Sequence, residues 1–192
     1  MPEFTVATRA SSLARAQTGW VRQQLARELA CEVGEVLITS EGDVSNAALT
    51  SFGGQGVFVA RVREAVVDGR ADAAVHSMKD VETIRPKEIV IAAMLPRADV
   101  RDRLIGAVSL DAIPQGGRLG TSSPRRSAQM KRLRPDLDVV LFRGNVATRL
   151  RKLAEGEADA TLLAAAGLDR LGQNAIGVAI PVETMLPAPA QG

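Results

Sequence analysis

The chain has 192 residues, of which 46% are hydrophobic and 24% are charged, a composition that can bury a core and excludes a disordered chain. The formal net charge is +2, and one Trp, four Phe and no Tyr disfavour nucleic-acid binding. One Cys and one His exclude a disulfide framework and argue against a metal site. Because signal-like and membrane-spanning apolar runs are absent, we expect a cytoplasmic protein without membrane contact.

Strands and helices alternate along the first half of the chain. The patterns predict strands at 3–8, 36–38, 71–75 and 89–95, helices at 13–29 and 57–67, and a polar, glycine-rich loop at 41–56. This alternation is typical of a parallel α/β sheet flanked by helices.

The second half repeats the same order of elements. Strands are predicted at 118–120, 139–142 and 161–164, and helices at 125–134 and 146–154. The segment 68–73 (DGRADA) is echoed at 155–160 (EGEADA), and 8–12 is loosely echoed at 121–125. We therefore predict an α/β protein of two similar domains with mixed or parallel sheets, the first at 1–95 and the second at 96–187.

Basic side chains follow the predicted strands at the ends where open α/β sheets bind ligands. Arg9 follows the first strand, and Lys79 follows the strand at 71–75. The other cations at such positions are Arg125, Arg126, Arg143 and Arg149. Each one alone is more simply explained as a surface charge, but together they predict an anion site in a cleft between the domains. Its ligand should be small and polyanionic, since Arg forks suit carboxylates.

Asp80 is a single carboxylate among these cations. Its simplest role is that of a salt-bridge partner or helix cap, whereas in a cleft it could stabilise a cationic intermediate or transfer protons. His76 lies just before it in the sequence, and a structural role for this histidine is at least as well supported as a catalytic one.

At these positions the chain resembles the porphobilinogen deaminase family. The matching segments are 7–14 (ATRASSLA), 42–43 (GD), 53–58 (GGQGVF), 74–80 (AVHSMKD), 101–102 (RD), 120–126 (GTSSPRR), 143–149 (RGNVATR) and 186–192 (LPAPAQG). They follow the family order over the whole chain.

The resemblance implies a fold like that of periplasmic binding proteins, with two domains hinged around a cleft and a third, small domain. It also implies an enzyme of haem and tetrapyrrole biosynthesis, a transferase that joins four porphobilinogen molecules into hydroxymethylbilane and releases ammonia. Its partners would be porphobilinogen and the growing pyrrole chain, and we expect a monomer. Family members build this chain on a dipyrromethane cofactor that is attached to a cysteine of the third domain.

The resemblance also assigns roles to individual residues. Asp80 would be the catalytic carboxylate. The residues matched to binding of the cofactor and substrate carboxylates are Arg9, Ser11, Ser77, Lys79, Thr121, Ser122, Ser123, Arg125, Arg126, Arg143, Gly144, Asn145 and Arg149. No metal is implied.

Three departures from the family pattern bear on this interpretation. Gln55 replaces a usual Lys, which removes one cofactor contact, and Glu82 replaces a usual Pro, which predicts a looser loop after Asp80. Residues 188–192 correspond to the start of the hinge back to the first domain, so the third domain and its attachment cysteine are absent, and Cys31 is misplaced to substitute. The chain is thus either a fragment or a shortened relative. The alternative function is a non-catalytic two-domain module that binds a small polycarboxylate.

Overall fold

A computed structural model describes residues 3–39 and 59–192, which form two compact units, Met1–Pro96 and Arg97–Gly192. The strands are β1 (Phe4–Arg9), β2 (Val33–Ile38), β3 (Ala73–Ala74), β4 (Asp102–Ile105), β5 (Arg118–Gly120), β6 (Asp138–Val140), β7 (Ala160–Ala164) and β8 (Val178–Ala179). The helices are α1 (Ser12–Leu29), α2 (Ala60–Val67), α3 (Pro124–Leu133), α4 (Val146–Ala154) and α5 (Ala165–Arg170), with a short 3₁₀ turn at Met78–Asp80. In the described ranges, none of the helices has the length and apolar character needed to cross a membrane.

Each unit contains a sheet with the same central arrangement. The first sheet has the order β2-β1-β3 and is parallel throughout. The second has the order β6-β5-β7-β4-β8, in which β6, β5 and β7 are parallel and β4 and β8 add antiparallel pairs. The prediction of an α/β protein with mixed and parallel sheets is therefore confirmed.

Helices cover the sheets through small apolar clusters. In the first unit, Val62 and Ala65 of α2 pack against Ala7 of β1. In the second unit, successive residues of β4 point to opposite faces, as expected for a strand. Leu104 belongs to a cluster with Met130 of α3, whereas Ile105 belongs to a separate cluster with Leu168 of α5.

The sequence echo between 68–73 and 155–160 corresponds to a repeated structural motif. Both α2 and α4 end at a glycine with positive φ, 70° at Gly69 and 75° at Gly156. In each case the next amide reaches back to a carbonyl five residues earlier, from Arg70 to Ala65 and from Glu157 to Lys152, which closes the helix as a Schellman motif.

An aspartate then fixes the following strand beside the central one. The Asp72 carboxylate accepts a hydrogen bond from the amide of Thr5 in β1 (2.7 Å), and the Asp72 amide donates to the Thr5 carbonyl (2.8 Å). Asp159 makes the same two bonds with Arg118 of β5, at 2.6 and 2.9 Å. The two units are therefore built on one plan at this point.

Some predicted boundaries differ from the structure. The segment 89–95, predicted as a strand, has no strand partner in the described part of the chain, and Val90 and Met94 are exposed. An apolar run forms a strand only where another strand completes its hydrogen bonds, so the prediction was wrong for these residues. The sequence patterns also missed β4, β8 and α5. The predicted loop at 41–56, including Gln55, lies outside the described residues.

Candidate active site

The carboxyl ends of β1 and β3 in the first unit border one cavity. Its polar lining residues are Arg9, Ser11, Gln17, His76, Ser77 and Asp80. Arg9 ends β1, and the last three of these residues follow β3. Because β1 and β3 run parallel and neighbour each other, residues that follow them in sequence meet at the same edge of the sheet.

Helix α1 begins at this cavity. Ser11 caps it, and the Ser11 hydroxyl accepts a hydrogen bond from the amide of Ala14 at 3.4 Å. The first turn of α1 contains no acidic side chain. The positive end of the helix dipole therefore adds to the charge of Arg9 in this region.

Gln17 is a cavity residue that the sequence did not single out. Its Nε2 lies 3.1 Å from the Ser77 hydroxyl and its Oε1 lies 3.2 Å from the same oxygen, so the amide of α1 holds the chain just after β3. The available signal was its spacing, since Gln17 follows the cavity residues Leu13 and Ala14 on one face of the helix.

Asp80 closes the 3₁₀ turn, where its amide donates to the carbonyl of Ser77 at 2.9 Å. Asp80 lines the cavity, although the residue as a whole is exposed to solvent. Burial raises the pKa of this carboxyl above its ordinary value, while the charges of Lys79 and Arg9 act in the opposite direction. A carboxyl balanced in this way can hold a proton or stabilise a nearby positive charge.

His76 is uncharged at neutral pH. Burial lowers its pKa to about 4, the positive charges of Arg9 and Arg63 contribute to the lowering, and Glu82 opposes it. Its Nε2 is buried and has no hydrogen-bond partner among the described residues. A buried polar atom in this state is ready to bond a ligand that enters the cavity.

The second unit contains a buried carboxylate, Asp102, bound by several donors. Arg126 donates to it through Nε (3.2 Å) and Nη2 (2.8 Å), Arg125 through Nη2 (2.6 Å), and Gln191 through Nε2 (2.9 Å). Burial by itself would raise the pKa of Asp102, but the hydrogen bonds and charges of Arg126 and Arg125 outweigh it and hold the pKa below its ordinary value. Gln191 belongs to the segment 188–192, which packs in the second unit through this contact.

This network engages two of the arginines that the sequence assigns to ligand binding. The remaining Nη1 of Arg126 donates to the carbonyl of Leu162 at 2.9 Å, so all three nitrogens of this buried guanidinium bond within the protein. Arg125 also donates to the carbonyl of Leu186. Both side chains therefore act in internal structure.

Arg143 and Arg149 are different, because neither forms a salt bridge with a carboxylate of the described residues. Arg149 donates to the carbonyl of Gly144 (2.8 Å) and lies 3.4 Å from the Ser122 hydroxyl. Burial, followed by the charges of Arg126 and Arg143, lowers the pKa of Arg149 to about 10. The Nη1 of Arg143 is buried without a hydrogen-bond partner in the described ranges. This cluster of like charges, which we call the Arg143–Arg149 cluster, is suited to an anion.

The backbone around this cluster is shaped by capping residues. Asn145 caps α4 by accepting a hydrogen bond from the amide of Thr148 at 2.9 Å. Gly144 has φ of 118°, and a Cβ at this position would lie 2.5 Å from the Thr148 side chain. Ser123 caps α3 in the same way, and its own amide donates to the Thr121 hydroxyl at 3.2 Å. The N-terminus of α3 follows strand β5, and the N-terminus of α4 follows strand β6.

The predicted site residues thus form two groups, one in each unit. The first unit brings Arg9, Ser11, Ser77 and Asp80 to one cavity, with Lys79 in the turn beside it. The second unit gathers Thr121, Ser122, Ser123, Arg125, Arg126, Arg143, Gly144, Asn145 and Arg149 at strand ends and helix starts. No group of three or more potential metal ligands occurs in the described residues.

We predict that Asp102→Asn destabilises the second unit by about 3–5 kcal/mol, because it leaves the buried Arg126 charge uncompensated. Urea denaturation at pH 7 measures this change. Asp99→Asn, which removes the carboxylate of the exposed Arg101–Asp99 pair, is the matched control and should cost about 1 kcal/mol or less. Equal losses in the two variants would show that the Asp102 network contributes little to stability.

The low pKa of His76 predicts a specific dependence of stability on pH. Between its ordinary pKa of 6.5 and the folded value of about 4, the unfolded chain binds a proton that the folded chain does not. The His76 contribution to the free energy of unfolding should therefore fall as the pH is lowered from 6.5 to 4. Asp80 acts in the opposite direction, so the comparison must be with His76→Asn, in which Asp80 is unchanged.

Urea denaturation of both proteins at several pH values, with an NMR titration of the imidazole, checks this prediction. His76 should remain neutral at pH 5.5. An imidazole that titrates near 6.5, or identical pH profiles for the two proteins, would contradict it.

Known structures resemble this fold. The VFT2 domain of Bordetella pertussis BvgS aligns with a TM-score of 0.50 at 15% identity, covering 96% of this chain and 76% of that one. This likeness is one of fold alone, and it agrees with the predicted α/β fold class.

Sequence comparisons identify the family. The family model described as "Porphobilinogen deaminase, dipyromethane cofactor binding domain" matches residues 4–192. Proteins named porphobilinogen deaminase are 52% identical in Sphingopyxis alaskensis (97% of this chain, 62% of that protein) and 44% identical in Micrococcus luteus (100% and 56%). The chain therefore spans roughly three fifths of the length of these relatives. Over almost its entire length, the chain belongs to the porphobilinogen deaminase family.

Proposed function

We propose that this chain supplies the cofactor- and substrate-binding part of a hydroxymethylbilane synthase, which joins four porphobilinogen molecules and releases ammonia at each addition. The observation that carries the proposal is the Asp80 carboxyl, which lines a cavity beside Arg9 with its pKa raised by burial. Family membership supports the same activity. Porphobilinogen and the growing pyrrole chain are the proposed partners, nucleic acid is not, and the proposed state is a cytoplasmic monomer.

The residues present fit a dipyrromethane cofactor. Its acetate and propionate groups are carboxylates, and the Arg143–Arg149 cluster offers a buried guanidinium nitrogen that has no hydrogen-bond partner among the residues described. Arg143, Arg149 and Ser122 of the second unit would bind such carboxylates, as would Arg9 and Ser11 of the first. When bound, the cofactor supplies the primer to which pyrrole units are added.

Asp80 would perform proton transfer and charge stabilisation. Its raised pKa lets the carboxyl donate a proton to the amine of porphobilinogen as the carbon–nitrogen bond breaks and ammonia leaves. The resulting carboxylate stabilises the positive charge left on the pyrrole. After the new carbon–carbon bond forms, the same carboxylate accepts the proton that the attacking pyrrole carbon loses, so each addition returns Asp80 to its starting state.

Neutral His76 and the Gln17–Ser77 pair would support this step without adding charge. Because the pKa of His76 is about 4, its imidazole adds no positive charge to those of Lys79 and Arg9, which act on Asp80. Gln17 fixes the position of Ser77, whose carbonyl accepts the Asp80 amide hydrogen bond. These residues orient the acid in the cavity.

We predict that Asp80→Asn lowers the turnover of porphobilinogen by a factor of about 10²–10⁴, the usual loss when a general acid–base group is removed. The assay uses a polypeptide extended to the length of the relatives. Asp68→Asn, which removes an exposed carboxylate at the end of α2, should keep normal turnover. Turnover by Asp80→Asn at the parental rate would refute the catalytic role.

Arg143→Ala should weaken binding of porphobilinogen by about tenfold to a hundredfold, because a hydrogen bond to a charged group contributes about 1.5–3 kcal/mol. Isothermal titration calorimetry with porphobilinogen measures this affinity. Arg151→Ala, which removes an exposed arginine from α4, should bind normally.

Two other outcomes are informative. Equal affinities of the two arginine variants for porphobilinogen would show that Arg143 does not contribute to its binding. Tight binding of porphobilinogen by an extended chain that never turns it over would favour the alternative function, a binding module for small polycarboxylates.

A further inference from the structure

The turn that presents Asp80 has little structure of its own. It is a single 3₁₀ turn of three residues, held by the hydrogen bond from the Asp80 amide to Ser77 (2.9 Å) and by one from Val81 to Met78 (3.2 Å). The strand before it, β3, is two residues long. Short 3₁₀ segments have poor hydrogen-bond geometry, so neighbouring contacts must hold this turn in place.

One such contact is the ion pair between Arg63 and Glu82. The Arg63 Nη1 lies 2.7 Å from the Glu82 Oε1, and the two side chains are 21% and 16% exposed. The pair Arg151–Glu155 on α4 has the same separation, but its side chains are 61% and 49% exposed. Because water screens a charge pair less when it is largely buried, the Arg63–Glu82 pair is the stronger constraint.

The pair joins the Asp80 turn to a fixed element. Arg63 lies in α2 between Val62 and Ala65, which are fully buried against β1. Glu82 lies two residues after Asp80, where the chain leaves the turn. The loop after Asp80 was expected to be looser because of Glu82, but the structure ties this residue to a packed helix.

The pair also lies close to the cavity. Both of its charges act on His76, whose Nε2 is buried in the same region without a partner among the described residues. The ion pair thus lies near His76, which is one of the residues that line the cavity.

We propose that the Arg63–Glu82 ion pair positions the Asp80 turn, holding the Asp80 carboxyl in the cavity. Arg63 and Glu82 are positioning residues, because neither lines the cavity with Asp80. The inference rests on the proposed function only where it assigns Asp80 a catalytic role. The positioning itself is a property of the chain without ligand.

The test uses three variants of the 192-residue chain: Glu82→Gln, Arg63→Met and the double variant. Carbon-13 NMR titration should show the pKa of Asp80 falling toward its ordinary value of 3.8 in each single variant, because the freed turn lessens the desolvation that raises this pKa. Amide hydrogen exchange at Asp80 and Val81 should become about tenfold faster, while exchange in α2 should not change. Glu155→Gln is the matched control and should alter neither measurement.

The double variant distinguishes one shared interaction from two separate ones. If the pair acts as a unit, the double variant should exchange no faster than either single variant. Additive effects, or an unchanged Asp80 pKa in both single variants, would overturn the proposal. Should Glu82→Gln fail to fold, Arg63→Lys keeps the positive charge but replaces the guanidinium group. The Asp80 pKa and the amide hydrogen exchange of this variant then test the proposal.

These measurements need no substrate, so their failure is distinct from failure of the proposed function. If Asp80→Asn retained turnover, the catalytic role would be lost while the positioning could still be observed. In the extended enzyme, Glu82→Gln should lower kcat by about tenfold with KM within about twofold, since a displaced catalytic group reduces the rate more than binding.

Discussion

In both units, an aspartate carboxylate fixes the strand that follows the Schellman motif beside the central strand of the sheet. Asp72 holds Thr5 of β1, and Asp159 holds Arg118 of β5, each through a carboxylate–amide bond and a backbone bond. Charge-assisted bonds of this kind are short and directional. They set the register of β3 against β1 and of β7 against β5. In the first unit, that register decides which residues emerge together at the carboxyl ends of the strands.

The two units share this plan but differ in the charges that they place at the strand ends. The first unit places one acid in a cavity whose burial raises the pKa of Asp80, while Arg9 and Lys79 keep the shift in check. The second unit concentrates guanidinium groups, and burial, followed by the charges of Arg126 and Arg143, lowers the pKa of Arg149. A carboxyl whose pKa is raised is suited to proton transfer, whereas clustered cations are suited to holding an anionic ligand.

The Asp102 network shows why membership of an arginine cluster does not by itself assign a given arginine to ligand binding. Asp102 is almost completely buried and accepts bonds from Arg125, Arg126 and Gln191. Arg126 adds a bond to the Leu162 carbonyl and so has every nitrogen engaged. Such a guanidinium is held within the protein and contributes charge to its surroundings, as its effect on the pKa of Arg149 shows.

The sequence by itself determined most of the local structure. Apolar spacing located α1, α4 and the strands β1 and β5 to within a residue or two, because burying one face of a helix or strand requires that period. The capping residues Ser11, Ser123 and Asn145 lie where a helix start needs an acceptor. The motifs also indicated the family and most of the residues that gather at the strand ends.

Only the tertiary structure decided which of those residues are engaged with one another. Gln17 reaches Ser77 across 60 residues of sequence, and Asp102 reaches Arg126 across 24, distances over which no periodic pattern operates. The segment 89–95 has the composition of a strand but no strand partner in the described part of the chain. Strand pairing, ion pairing and the desolvation that shifts a pKa all depend on neighbours in space, and a sequence pattern records only neighbours along the chain.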